Sequence, residues 1–189
     1  MKVCGIELKG SEAIICLLSK TDGLFSLPDC RVRSLPLSDP LDTASVRQFQ
    51  FAFAKLMADY HVDKVVIRER PLKGKFAGGA VGFKMEAAIQ LIDAVQVDVL
   101  SATTINDSLK SNPLPISFSE TGLKVFQEPA FMVAFASFGE DSRSAEIRPK
   151  EAKAKVRRAE PKSEEVVDEA RVEEEKPKAA TSSLYKAKF

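Results

Sequence analysis

Apolar and polar positions change rhythm along this chain, and the changes mark its elements. Residues 2–8 (KVCGIEL) and 12–18 (EAIICLL) are short runs rich in Val and Ile, separated by Lys9-Gly10-Ser11. Runs of that kind joined by a tight polar turn predict a β-hairpin. A third strand is expected from Cys30 to Leu37, after the turn signals Thr21-Asp22-Gly23 and Pro28-Asp29. Pro36 has no amide N–H for a ladder, which confines that strand to an edge or an end. The period then lengthens: Val46, Phe49, Phe53, Leu56, Met57 and Tyr60 recur at helical spacing, with Thr43 or Ser45 as the cap. Strand four is expected over 64–67. A helix from about Lys84 to Asp93 follows, with Met85, Ala88, Ile89 and Ile92 on one face. Strand five spans 95–100, a helix runs from Thr103 to Lys110, and "EPAFMVAFASF" reads as a nearly all-apolar final helix. The order β-β-β-α-β-α-β-α-α predicts an α/β domain: a mixed five-stranded sheet with flanking helices.

Charge locates the end of that domain. Residues 139–189 carry 13 Lys+Arg and 12 Asp+Glu, and their only aromatics are Tyr185 and Phe189. Such a segment buries too little apolar surface to offset its ordering entropy, so a largely disordered tail is expected after a domain over 1–138. The tail is also a candidate contact arm for a protein partner. No run approaches the length of a membrane span. Glu7 and Lys9 stand where a signal peptide would have its apolar core, which predicts a cytoplasmic protein. Cys4, Cys16 and Cys30 are odd in number and lack CxxC spacing, so they predict neither a disulfide framework nor a cysteine metal site.

The chemistry concentrates in "VVIRERPLKGKFAGGAVGFK", residues 65–84. Arg68, Arg70, Lys73, Lys75 and Lys84 surround the single carboxylate Glu69, in a chain whose net charge is only +1. That excess suits a phosphate backbone, and Phe76 and Phe83 are candidates for stacking on bases. Gly74, Gly78, Gly79 and Gly82 permit a close backbone approach or φ > 0. The spacing does not match G-x-x-x-x-G-K-[ST], so the loop does not predict a Walker-type nucleotide site. His61 has no second histidine to form a zinc site with.

Three strings carry a resemblance. "GIELKG" resembles the Gly-Ile-Asp-x-Gly start of RuvC-type resolvases, "VVIRER" resembles their second acidic strand end, and "QEPAFMVAFA" resembles their acid-bearing, alanine-rich last helix. The chain over 1–138 also resembles a domain-of-unknown-function family of short gammaproteobacterial proteins with an RNase-H-like fold. The resemblance implies an RNase-H-like sheet and a metal-dependent nuclease or nucleic-acid processing activity. Glu7, Glu69 and Glu128 would then be the catalytic residues and would hold Mg²⁺ or Mn²⁺, whose hard character calls for carboxylate oxygens. Lys9, Arg68, Arg70, Lys73, Lys75 and Lys84 would contact nucleic acid. The chain also departs from the pattern. Glu7 replaces Asp, Lys9 replaces Gly, and the last helix has Phe131 and Met132 where a further acid is expected. The alternative is a non-catalytic RNase-H-like module that binds nucleic acid or a protein partner. An arginine or Lys9 paired into the Glu7 site would favour it.

Overall fold

The hairpin expected from the two apolar runs consists of β1 (Lys2–Lys9) and β2 (Glu12–Thr21), with Gly10 at φ 61° in its two-residue turn. That left-handed conformation suits a residue without Cβ. The computed structural model describes residues 1–75 and 77–140. In it β1 pairs antiparallel with β2 and parallel with β5 (Lys64–Arg68), which in turn pairs parallel with β6 (Gln96–Leu100). The hairpin and β5 are buried on both faces, hence their nearly continuous apolar character.

The third strand is a correction. Leu24–Ser26 (β3) and Ser34–Pro36 (β4) pair with opposite ends of β2, so the sheet has six strands, not five. The chain between them leaves the ladder at Leu27-Pro28. Its Cys30 and Val32 pack against the core from the side, the Cys30 thiol donating to the Val32 carbonyl at 3.0 Å. Pro36, as expected, ends its strand at the sheet edge.

Helix α1 (Thr43–Asp59) buries Phe49, Phe53, Leu56 and Met57, the residues its period selected. Its cap is Asp42, one position before the expected Thr43 and three before Ser45, accepting from the amides of Ala44 and Ser45. At its other end His61 takes φ 52°; its N–H bonds to the Ala58 carbonyl and that of Val62 to the Met57 carbonyl. This helix-terminating Schellman arrangement gives the lone histidine a structural place. Helix α2 (Ala80–Gln90) starts four residues before the expected Lys84, because Gly82 belongs to its first turn. Helix α3 (Ala102–Ser111) is capped by the Ser101 hydroxyl. Two 3-10 turns, Phe118–Thr121 and Val125–Gln127, lead into helical residues 128–140, called α4 below.

Strand alternation sorts the core into two layers. Cys4, Ile6, Leu8, Val65 and Ile67 face α1 and α2, whereas Val3, Val66, Ile14 and Cys16 face α3 and α4. Gly5 sits directly under α4: a Cβ there would overlap the Ala130 carbonyl oxygen and come within 2.8 Å of the Ala134 Cβ. Among the described residues no helix is long and apolar enough to cross a membrane. The expected tail lies, from residue 141 on, outside the described residues, and with it the proposed partner arm.

Candidate nucleic-acid interface

Where β1 and β5 end side by side, the register pairs Ile6 with Ile67 and so sets Glu7 beside Arg68. Both follow residues of the α1/α2 layer and therefore point to the α4 face. There the Arg68 guanidinium Nη1 donates to the Glu7 carboxylate Oε2 at 3.4 Å, with Glu7 about one-fifth exposed. Arg68, expected only as a phosphate contact, is thus the partner of the first expected metal ligand. The signal was present in the strings "GIE" and "VIR", but only the register aligns their last residues.

Glu69 lies one position further on. Alternation carries it to the opposite face, that of α1 and α2, while its amide donates to the Leu100 carbonyl at 2.8 Å. Its exposed carboxylate is close enough to Glu86 of α2 to act on it. The Glu86 carboxyl is held above the usual carboxylate range, chiefly by burial and further by Glu69, with the Arg70 cation opposing. One Glu86 oxygen, Oε2, and the Arg70 Nε are buried without a hydrogen-bond partner among the described residues. Glu128, half-buried, is the first residue of α4, over the Glu7 face. The neighbouring Gln127, which sequence patterning did not select, is buried and donates to the Ile15 carbonyl at 2.9 Å, tying the start of α4 to β2.

The structure therefore divides the three glutamates between two faces of the sheet, with Glu7 engaged by an arginine. Among the described residues no three carboxylate, imidazole or thiol side chains gather closely enough to hold one cation. This donor set does not fit a two-metal arrangement of Mg²⁺ or Mn²⁺, which needs oxygen ligands converging on neighbouring ions.

The cations are also distributed. Arg70 lies along the start of α2, and an added Cβ would come within 2.8 Å of its Nε at Gly78 and 2.9 Å at Gly82. Two of the loop glycines thus accommodate a guanidinium of the chain itself, whereas Gly74 serves a turn at φ 98°. Lys84 donates to the Pro40 carbonyl at 2.6 Å, toward α1. Lys9, Lys73 and Lys75 are exposed. Phe83 is half-buried against Gly78, and Phe76 lies outside the described residues. Helix α2 has neither a side-chain cap nor an acid in its first turn, so the positive end of its dipole lies beside Arg70.

This sheet order, with α1 and α2 on one face and α3 and α4 on the other, is an RNase-H-like fold. It is similar to RuvC from Thermus thermophilus, with a TM-score of 0.58 at 12% identity over 76% of this chain and 97% of that one. The T. thermophilus RuvC in complex with a Holliday junction substrate matches with a TM-score of 0.54, again at 12% identity, over 76% of this chain and 96% of that one. Identity at that level carries the fold alone. The chain belongs to the family described as "Protein of unknown function (DUF3010)", whose model matches residues 1–137. No curated protein matches it.

Proposed function

We propose that this protein is a non-catalytic RNase-H-like module that binds nucleic acid through the strand ends of β1 and β5. The observation that carries this reading is the Arg68–Glu7 pair at 3.4 Å. The Arg68 cation already engages the carboxylate oxygen that a metal at Glu7 would compete for. The surface is instead suited to phosphate: Arg68 is itself two-fifths exposed, and Lys9 and Lys73 are exposed nearby in sequence. Phosphate contacts of this kind bind without reading sequence and release counterions. The RuvC complex with a Holliday junction supports trying a branched substrate first.

The test is a band-shift titration of a labelled four-way junction and a duplex of equal length, in Mg²⁺ and in Mn²⁺. Binding should weaken about 40-fold between 50 and 200 mM salt if about three phosphates are contacted, and neither probe should be cut. Glu7→Gln is the deciding variant. It releases Arg68 and removes a negative charge, so binding should tighten severalfold. Cleavage in Mn²⁺ that Glu7→Gln abolishes would overturn this reading and establish a metal nuclease.

A further inference from the structure

A second feature lies away from the strand ends, between the β2–β3 edge and α4. A cavity of about 630 Å³ opens there, walled by the rings of Phe25, Phe131, Phe135 and Phe138 and by Leu18 and Leu114. The rings form one connected surface: Phe25 to Phe135 is 4.9 Å between centroids, Phe25 to Phe138 5.4 Å and Phe131 to Phe135 6.3 Å. Protein interiors rarely leave spaces much larger than a water molecule, whereas small-molecule sites occupy roughly 300–1,000 Å³. Leu24 and Ile116, 76% and 48% exposed, extend the apolar surface to the mouth.

Among the described residues the lining contains one charged side chain, Lys20, and no carboxylate. Lys20 stands opposite Phe25 in the β2–β3 register, with its Nζ 5.1 Å from the centre of that ring. Among the described residues it has no ion-pair partner, whereas Lys55 and Lys64 pair with Asp59 and Asp98. Lys20 is half-buried as a residue, and an ammonium beside an aromatic wall attracts an anion more strongly than one in open water, because the wall lowers the local dielectric. Its single charge does not suit a polyanion.

We infer that this cavity binds a small amphipathic carboxylate, such as a medium-chain fatty acid, with its chain among the phenylalanines and its carboxylate on Lys20. This goes beyond the nucleic-acid reading and is independent of it.

The test uses the full chain and two probes, decanoate and its uncharged counterpart decan-1-ol, titrated by calorimetry. Decanoate should bind saturably, one per chain. Lys20→Met should weaken decanoate about tenfold, as expected for loss of a charged hydrogen-bond partner, and leave decanol within about twofold. Lys20→Arg should restore decanoate binding. Amide shifts on addition of decanoate should fall in 18–27, 111–116 and 131–139. Absence of binding overturns the proposal. So does equal weakening of both probes, or shifts centred on the ends of β1 and β5.

Discussion

Gly5 offers the most direct test of how α4 meets the sheet, and hence of which face Glu7 occupies. Its replacement by alanine adds one methyl group where there is no room. The new carbon would overlap the Ala130 carbonyl oxygen and stand 2.8 and 2.9 Å from the Ala134 Cβ and amide nitrogen. Carbon atoms in contact prefer about 3.5–4.0 Å, so α4 must move off β1 by roughly 1 Å. Two of the three obstacles are backbone atoms, which no rotamer change relieves. Overpacking of a core costs about 1–3 kcal/mol, and backbone obstacles place Gly5→Ala at the upper end. The reduced freedom of alanine in the unfolded chain offsets about 0.4–1 kcal/mol. A net loss of about 2 kcal/mol remains, which lowers a urea midpoint by about 1 M for a slope near 2 kcal/mol per M. Urea unfolding followed by circular dichroism at 222 nm measures it. A midpoint unchanged or raised would refute the seating of α4 on Gly5, and with it the assignment of Glu7 and Arg68 to the α4 face.

Other perturbations probe the remaining charged and buried groups. The Lys64 ammonium is 7% exposed and lies 2.8 Å from the Asp98 carboxylate. Asp98→Asn should cost about 2 kcal/mol in urea unfolding at pH 7, below the about 3–5 kcal/mol of a fully buried pair because Asp98 is 39% exposed. Burial alone would raise the Asp98 pKa, but hydrogen bonds from Lys64 and Gln96 and the Lys64 charge hold it below normal. Its stabilisation is therefore present above the unfolded aspartate pKa of about 3.9 and is lost as the pH falls through the lower folded value. Wild type and Asp98→Asn should then converge in acid, and a constant difference across pH would contradict this. Glu86 has the opposite sign: its folded pKa is raised, first by burial, so the folded state holds its proton more tightly. Ionising it costs stability as the pH rises, and Glu86→Gln should gain on wild type between pH 4 and pH 7 in the same assay. Burial pushes the Cys4 thiol well up and, with the Cys30 charge, takes Cys16 to about 12. A thiol reagent at pH 8 should therefore label half-buried Cys30 first, and Cys4 and Cys16 only on unfolding; equal native rates would refute it.

Local pattern was sufficient for most elements. The short Val- and Ile-rich runs KVCGIEL and EAIICLL around a tight polar turn indicated the hairpin, and the helical spacing of Phe49, Phe53, Leu56 and Met57 fixed the buried face of α1. Both patterns repeat over a few residues and report a local environment, so no long-range information is needed. Boundaries were less legible where a backbone detail decided them. The strand expected over Cys30–Leu37 shortened to β4 because Cys30 and Val32 turn into the core, β3 formed earlier where no strand was expected, and Gly82 proved to be helical. The candidate site was only half legible, because residue type shows charge but not direction. That Glu7 meets Arg68 follows from the parallel register of β1 and β5, a pairing between residues 61 apart, while alternation past Arg68 carries Glu69 to the other face. Likewise, Gly78 and Gly82 read as glycines open to a ligand until folding brought the Arg70 side chain against them. The sequence alone determined which elements form and which charges they carry. The tertiary structure decided which of those charges neutralise one another, because a one-residue change of register moves a side chain to the other face of the sheet.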